Sequence, residues 1–134
     1  MSGPGHILLV DDNADLRETM ALLLRCDGHL VTEAADGQLA LNALATPTTF
    51  RLIILDLMMP VMDGAAFLAN KAKGVHAAIP VVVFSSSPSI GMEEHASVVS
   101  VVSKLDGIDG LLAAVQRAEG APPPPHAPAG GFLV

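Results

Sequence analysis

Short apolar runs alternate along the chain with longer segments whose apolar residues recur every three or four positions. Each run has the length of one strand, and the runs lie at residues 6–10, 29–34, 52–55, 81–84 and 98–102. Almost continuous apolar runs are typical of strands buried on both faces of a parallel sheet. The segments predicted to be helical are 14–25, 36–44, 65–73, 92–96 and 108–118. Because parallel strands need long crossovers, this alternation predicts an α/β fold with helices on both faces of an open sheet.

The ends and faces of the predicted helices follow from single residues. Asn13 or Asp12 can cap the first helix, since both side chains accept hydrogen bonds from the free amides of a first turn. We expect the apolar faces of the first two helices to include Leu23 and Leu39. Cys26, near the end of the first helix, is interpreted as a small core residue.

Composition and charge exclude several classes of protein. The chain has 134 residues, of which 51% are apolar, enough for one ordinary core. Its formal net charge of −7 argues against a nucleic-acid surface, which would be basic. No run approaches the roughly 18 apolar residues of a membrane span, and no basic flank of a secretory signal precedes the first run. The single cysteine cannot form an internal disulfide. These features predict a cytoplasmic protein that neither inserts into membranes nor binds nucleic acid.

The composition changes near residue 119. Residues 5–118 carry the alternating pattern and are predicted to form one domain. Residues 119–134 are rich in proline and glycine, which is typical of an extension that is stiff at first and then flexible. We therefore predict a disordered C-terminal tail outside the packed domain.

Polar side chains follow four of the predicted strands at the point where each strand ends. Asp11 and Asp12 follow the first strand, Asp56 the third, Ser85 the fourth and Lys104 the fifth. In doubly wound sheets, ligands bind beyond the carboxyl ends of the strands. If the strand order is 2-1-3-4-5, these four strands are neighbours. The three carboxylates, the hydroxyl and the ammonium then converge on one rim of the sheet.

The chemistry of these groups points to a magnesium-dependent phosphoryl acceptor. Three neighbouring carboxylates repel one another and require a divalent cation, and a site with oxygen ligands alone suits Mg²⁺. A carboxylate beside an ammonium can attack an electrophilic phosphorus, because the cations neutralise charge on the transferring group. The product would be an acyl phosphate on an aspartate.

Four motifs resemble the receiver domains of two-component response regulators, the CheY-like superfamily. They read LLVDDNADLRETM, LIILDLMMPVMDG, PVVVFSS and VVSK, and the resemblance covers about residues 6–118. It implies a flavodoxin-like (βα)5 fold, a doubly wound parallel sheet with strand order 2-1-3-4-5. It also implies that Asp56 is the phosphoacceptor. The Mg²⁺ ligands would be Asp11, Asp12, Asp56 and the backbone carbonyl of Met58, whose side chain we expect to fill a gap in the packing.

The resemblance also assigns the hydroxyl and the ammonium. Ser85 would be the hydroxyl that closes on the phosphoryl group, although Ser86 takes this role if the strand register differs by one residue. Lys104 would pair with Asp56 and then with the phosphate. The phosphodonor would be a sensor histidine kinase or a histidine phosphotransfer protein, or a small phosphodonor. Phosphorylation would change the conformation of the domain, and a downstream partner protein would recognise the changed surface. We expect a stand-alone receiver that dephosphorylates itself slowly, and a weak homodimer is left open.

Three features depart from the family pattern. Leu105 follows the lysine where the family usually has proline, so we expect a trans peptide bond there. Val101 occupies a position where the family often has an aromatic ring that turns inward on activation. The stretch from Ser85 to Lys104 is shorter than usual by roughly one helical turn. The fourth helix of the fold, predicted at residues 92–96, should therefore be short or altered.

Two other functions compete with the phosphorylation switch. Val101, Leu105 and the short fourth-helix region favour a receiver-like interaction module that works without phosphorylation. A phosphohydrolase of the haloacid dehalogenase type would also form an aspartyl phosphate. Such enzymes need a second Asp two residues after the nucleophile, and here that position is Met58. The sequence therefore favours the switch over the hydrolase.

Overall fold

A computed structural model describes residues 6–59, 62–86 and 97–120, and these form a parallel sheet with helices around it. The strands are β1 (His6–Val10), β2 (Leu30–Ala34), β3 (Leu52–Leu55), β4 (Val81–Ser85) and β5 (Val98–Ser103). The α-helices within these ranges are α1 (Ala14–Cys26), α2 (Gly37–Leu44), α3 (Gly64–Ala72) and α4 (Gly107–Gly120). A short 3₁₀ turn, Lys104–Asp106, joins β5 to α4.

The sheet has the predicted strand order, β2-β1-β3-β4-β5, and all of its strand pairs are parallel. The flavodoxin-like prediction is therefore confirmed. The register pairs Val10 of β1 with both Ala34 of β2 and Leu55 of β3. The residues that follow β1 and β3, Asp11 and Asp56, consequently leave the sheet side by side.

Alternate residues of each strand enter two separate cores, one on each face of the sheet. The first core packs strand residues such as Val10 and Leu55 against α2 and α3. The second packs residues such as Leu9 and Phe84 against α1 and α4. Since both faces are covered, the central strands are almost wholly apolar, which explains why their runs are continuous rather than alternating.

Carboxylate and amide caps begin three of the helices. Asn13 caps α1, where its side-chain oxygen accepts a hydrogen bond from the amide of Leu16 at 3.1 Å. Asp36 and Asp63 cap α2 and α3 in the same way. Asn13 rather than Asp12 is therefore the cap of α1. The carboxylate of Asp12 instead lies close to those of Asp11 and Asp56, and these three residues form the acidic cluster.

Three core assignments in the first two helices are wrong, two of them made from helical spacing and the third from the small apolar character of Cys26. Leu23 and Leu39 are 36% and 47% exposed, and Cys26 is exposed as well. The buried residues of α1 are Met20, Ala21 and Leu24, a narrower stripe than the apolar pattern indicates. A helix that packs on one sheet face buries only the residues nearest the sheet, so apolar residues at the margin of the stripe stay in contact with solvent.

The last helix ends two residues later than predicted. Helix α4 continues to Gly120 rather than ending at residue 118. The first proline after this helix is Pro122, and a proline restricts the residue before it to extended conformations. The tail beyond residue 120 and the short helix predicted at residues 92–96 lie outside the described residues. No helix in the described part of the chain combines the length and apolar character that a bilayer crossing requires.

Candidate functional site

Three carboxylates meet at the carboxyl end of the sheet. Asp11, Asp12 and Asp56 each place one carboxylate oxygen within 4.8 Å of the others. Asp11 and Asp56 are buried, with 1% and 3% of their surface exposed, whereas Asp12 is exposed. Two buried carboxylates this close are unfavourable unless cations compensate their charge. The sequence prediction brought these three residues together correctly.

Backbone hydrogen bonds hold the two buried carboxylates in place. The amide of Asp56 donates to the carbonyl of Val10 at 3.0 Å, and the amide of Asp11 donates to the carbonyl of Ala34 at 3.1 Å. Each side chain also accepts a local amide hydrogen bond. Asp11 Oδ1 accepts from the amide of Asn13 at 2.9 Å, and Asp56 Oδ1 accepts from the amide of Met58 at 3.2 Å. Each carboxylate therefore keeps its Oδ2 atom for other partners.

Lys104 reaches both of these Oδ2 atoms. Its Nζ lies 2.8 Å from Asp11 Oδ2 and 3.3 Å from Asp56 Oδ2. The ammonium also lies 5.9 Å from the centre of the Phe84 ring, a distance at which cation–π attraction contributes. The lysine predicted from the end of the fifth strand is therefore the cation of this cluster.

The turn that carries Lys104 was not predicted from the sequence. Lys104 begins the 3₁₀ turn, and Ser103 caps it by accepting a hydrogen bond from the amide of Leu105 at 3.1 Å. No described peptide bond is cis, so the bond between Lys104 and Leu105 is trans. Leu105 itself is 91% exposed. A serine before a lysine at a strand end is the signal that could have indicated this turn, because serine side chains commonly cap local amides.

The structure distinguishes Ser85 from Ser86, the two candidates for the hydroxyl of the site. Ser85 is the last residue of β4, is fully buried, and pairs in register with Ser103 of β5. Ser86 is exposed. The strand includes Ser85, one residue more than predicted. Of the two hydroxyls, that of Ser85 lies on the sheet itself, between the strands that carry Asp56 and Lys104.

The chain after Asp56 forms the open side of the site. Met58 has a side chain that is 60% exposed. With Asp12, Leu57, Met59 and Asp63 it lines a cavity of about 330 Å³. The cavity opens beside the acidic cluster and is large enough for a small phosphodonor or for the reacting end of a larger one. The expectation that the Met58 side chain fills a gap in the packing is wrong, because it faces the opening.

Glycines hold this segment close to the rest of the fold. A Cβ atom on Gly64 would lie 2.7 Å from Leu57 Cα and 2.8 Å from the carbonyl oxygen of Asp56. A Cβ atom on Gly37 would lie 2.6 Å from the carbonyl oxygen of Met62, which also accepts a hydrogen bond from the amide of Gly37. Neither close approach was predicted from the sequence. The start of α3 therefore packs directly against the backbone of Asp56 and Leu57, and the start of α2 packs against Met62 further along the same segment.

Burial and charge affect Asp11 and Lys104 differently. Burial raises the pKa of Asp11 above 3.8, and the hydrogen bonds from Lys104 and the amide of Asn13 only partly offset this. Burial lowers the pKa of Lys104, but its hydrogen bond to Asp11 and the two nearby carboxylates outweigh this, so that its pKa is raised above 10.5. The ion pair therefore stabilises the charged form of the more exposed Lys104, whereas burial outweighs the same pair at the almost wholly buried Asp11.

The raised pKa of Asp11 predicts a dependence of stability on pH. Above 3.8 and up to the raised pKa, the folded protein keeps a proton on Asp11 that the unfolded chain has released. Asp11 should therefore contribute a decline in the free energy of unfolding without metal as the pH rises through this window. In Asp11→Asn this decline should be smaller than in the native protein. Urea unfolding in EDTA across this pH range measures the difference, and two parallel curves would contradict the prediction.

The donor set fits a magnesium ion. The three carboxylates supply oxygen ligands only, they lie close enough to share one ion, and Asp12 keeps the cluster open to solvent. The backbone carbonyl of Met58 belongs to the segment directly after Asp56, which lines the same opening. No histidine or cysteine joins this group among the described residues, which favours Mg²⁺ over softer metals.

Comparison with known proteins decides the family. The sequence model described as the response regulator receiver domain matches residues 7–116. The chain belongs to this family. It is a receiver domain of two-component systems with an acidic phosphoacceptor site. Family membership also removes the reason to consider a phosphohydrolase of the haloacid dehalogenase type.

Two curated relatives are much longer than this chain. A gliding motility regulatory protein from Myxococcus xanthus is 36% identical over 119 residues, covering 84% of this chain and 15% of that protein. Protein-glutamate methylesterase/protein-glutamine glutaminase 2 from Cereibacter sphaeroides is 35% identical, covering 95% of this chain and 39% of that protein. The crystal structure of a receiver protein from Pseudomonas putida has a TM-score of 0.79 at 26% identity, covering 87% of this chain and 99% of that one. The receiver domain thus spans well under half of these two curated relatives.

Proposed function

We propose that this receiver domain accepts a phosphoryl group on Asp56 from a histidine kinase or a histidine phosphotransfer protein. The observation that carries the proposal is the position of the Asp56 carboxylate, which lies in contact with Lys104 and within one cluster with Asp11 and Asp12. Of the two buried carboxylates, that of Asp56 directly precedes the segment that lines the cavity. A phosphodonor in the cavity would therefore meet this carboxylate.

The transfer needs one bond to form and one to break. A carboxylate oxygen of Asp56 attacks phosphorus, and the phosphorus–nitrogen bond of the phosphohistidine breaks. The imidazole leaves with the electron pair of that bond and takes a proton, and the product is an acyl phosphate on Asp56. Bound Mg²⁺, held by Asp11, Asp12, Asp56 and the carbonyl of Met58, would neutralise negative charge on the phosphoryl oxygens.

Lys104 and Ser85 convert the new charge into a change of conformation. Before transfer, Lys104 is shared between Asp11 and Asp56. A phosphoryl dianion on Asp56 would draw the ammonium of Lys104 and the hydroxyl of Ser85 toward it. These residues lie at the ends of β5 and β4, so both strand ends and the turn after β5 would shift together. A downstream protein that binds this region would read the phosphorylated state. The role is that of a switch rather than of a turnover enzyme.

The proposal extends to the organisation of the chain. The receiver unit would comprise the predicted residues 5–118 together with the last two residues of α4, and a proline- and glycine-rich extension would follow up to residue 134. Membership of the receiver family supports a cytoplasmic location for the exchange, and a weak homodimer is compatible with it.

The test of the proposed function is covalent labelling. The native protein is incubated with phosphoramidate or acetyl phosphate in the presence of Mg²⁺, and its intact mass is measured. We expect the mass of a single phosphoryl group to be added, and the addition should disappear when EDTA replaces Mg²⁺. No labelling with either donor, under conditions where the protein is folded, would overturn the proposal.

Lys104 should accelerate the transfer strongly. Lys104→Met removes the ammonium that contacts Asp56 while keeping most of the side-chain stem. Loss of one preorganised charge of this kind lowers reaction rates by about 10²-fold, and we expect that loss for phosphoryl uptake at saturating Mg²⁺. Lys73→Met is the matched control, since Lys73 is exposed at the end of α3. Equal labelling rates for the two variants would contradict the role of Lys104.

One observation favours a second candidate function. Val101 is half-buried against the first core, and a β-branched side chain has little rotamer freedom for an inward swing. A receiver that binds its partner independently of phosphorylation would have equal partner affinity with and without beryllofluoride. A clear difference in affinity would eliminate this candidate and support the switch.

A further inference from the structure

The backbone carbonyl of Asp11 is bound by a side chain rather than by a strand. The paired register of β1 and β2 ends at Val10 and Ala34, and the amide of Asp11 makes one further hydrogen bond to the carbonyl of Ala34. The carbonyl of Asp11 lies beyond this last rung of the ladder. It accepts a hydrogen bond from Arg17 Nη1 at 2.7 Å. Arg17 lies in the first half of α1, which follows directly after the acidic cluster.

The guanidinium of Arg17 is itself held by a carboxylate on β2. Arg17 Nε donates to Glu33 Oε1 at 3.0 Å, and the two side chains are only 14% and 26% exposed. Glu33 lies one residue before Ala34, on the strand that also holds the amide of Asp11. Strand β2 therefore contacts Asp11 twice, once through its backbone and once through the pair formed by Glu33 and Arg17.

These contacts fix every polar group of Asp11. Its amide is bound by Ala34, its carbonyl by Arg17, its Oδ1 by the amide of Asn13 and its Oδ2 by Lys104. A carboxylate that binds a metal needs a fixed orientation, and partners outside the ligand shell usually supply it. Of these four contacts, the one made by Arg17 fixes the point where the backbone leaves the strand and turns toward Asp12.

We infer that Arg17 is a positioning residue for the carboxylates of Asp11 and Asp12, and that Glu33 acts only by holding Arg17. The inference rests on the proposed function, because it assigns these carboxylates to Mg²⁺. Arg17 need not touch the ion or the phosphoryl group. It holds the backbone from which both ligands project, so its loss weakens Mg²⁺ binding while the chemistry at Asp56 stays intact once Mg²⁺ is saturating.

Arg25 offers a matched control on the same carboxylate. Its Nη1 lies 3.6 Å from Glu33 Oε2, and its Nη2 donates to the carbonyl of Val31 at 2.9 Å. Arg25 therefore shares Glu33 with Arg17 and also binds a backbone carbonyl, but that carbonyl belongs to β2 rather than to Asp11. If the Arg17 contact only stabilised the fold, Arg25→Met and Arg17→Met would have similar consequences.

The experiment separates Mg²⁺ affinity from reaction rate and from stability. The dissociation constant of Mg²⁺ is measured by titration calorimetry without a phosphodonor, for the native protein, Arg17→Met, Glu33→Ala, the double variant and Arg25→Met. We expect Arg17→Met to raise the constant by about tenfold, as loss of such outer partners typically does. Phosphoryl uptake at saturating Mg²⁺ should stay at the native rate. Glu33→Ala should raise the constant less, and the double variant should match Arg17→Met. Arg25→Met should bind Mg²⁺ like the native protein.

The opposite outcomes overturn the inference and are distinguishable from failure of the proposed function. A native Mg²⁺ affinity in Arg17→Met, or an equal loss in Arg25→Met, would show that Arg17 does not position the ligands. Additive effects of Glu33→Ala and Arg17→Met would show that Glu33 acts independently. If Arg17→Met does not fold, Glu33→Ala is the deciding variant, because it leaves the guanidinium in place without its carboxylate partner. A raised dissociation constant of Mg²⁺ in Glu33→Ala would then support the inference, and a native one would overturn it. A native protein that neither binds Mg²⁺ nor takes up a phosphoryl group would instead overturn the proposed function itself.

Discussion

Asp56→Asn should take up no phosphoryl group from phosphoramidate or acetyl phosphate at any Mg²⁺ concentration. The substitution keeps the size and shape of the side chain but replaces the carboxylate with an amide, which is a far weaker nucleophile. Asp11 cannot take its place, because it is 1% exposed and both of its carboxylate oxygens are occupied, by the amide of Asn13 and by Lys104. Intact mass measured over the labelling period of the native protein gives the result directly.

Two controls make the result for Asp56→Asn specific. Asp63→Asn changes another carboxylate that lines the cavity, and Asp63 caps α3 rather than contacting Lys104. It should label like the native protein. Asp56→Asn should also remain folded by circular dichroism, since it removes a buried charge that lies close to Asp11. A phosphoryl adduct that persists in folded Asp56→Asn would show that another residue is the acceptor.

The sequence was sufficient to predict the site because the site lies at the ends of strands. A buried strand is a continuous apolar run, and its carboxyl end is the first polar residue after that run. Asp11 and Asp56 could each be placed in this way, and Lys104 follows the fifth apolar run after one intervening residue, Ser103. Parallel strands then bring these ends to one edge of the sheet. The two ion pairs that Lys104 makes with Asp11 and Asp56 confirm that the edge was predicted correctly.

The side chains that support the site could not be predicted in the same way. Arg17 occupies an ordinary polar position of an amphipathic helix, and only the three-dimensional structure shows that it binds the carbonyl of Asp11. The prediction that Leu23 and Leu39 are buried was wrong for a related reason, since helical spacing does not show how many residues of a helix face the sheet can cover. Periodicity reports which face of a helix is apolar, whereas the partners of individual side chains depend on residues far away in the sequence.

Gly64→Ala should destabilise the fold and displace the segment that carries the phosphoacceptor. In Gly64→Ala the new Cβ atom would lie 2.7 Å from Leu57 Cα and 2.8 Å from the Asp56 carbonyl oxygen. Both are backbone atoms of the segment that carries the phosphoacceptor, so they can yield only if the backbone shifts. Overpacking of this kind lowers the free energy of unfolding by about 1–3 kcal/mol, and we expect a loss in that range.

The same shift should slow phosphoryl uptake, because it moves the backbone of Asp56 relative to Lys104. Gly74→Ala is the matched control, since Gly74 is exposed and a Cβ atom there would meet no other part of the described chain within 4 Å. A methyl group there restricts the unfolded chain and should raise the free energy of unfolding by about 0.4–1 kcal/mol. Urea unfolding of both variants, with labelling rates measured in parallel, tests the pair. If Gly64→Ala were as stable and as reactive as Gly74→Ala, the close approach at Gly64 would not be what holds Asp56 in position.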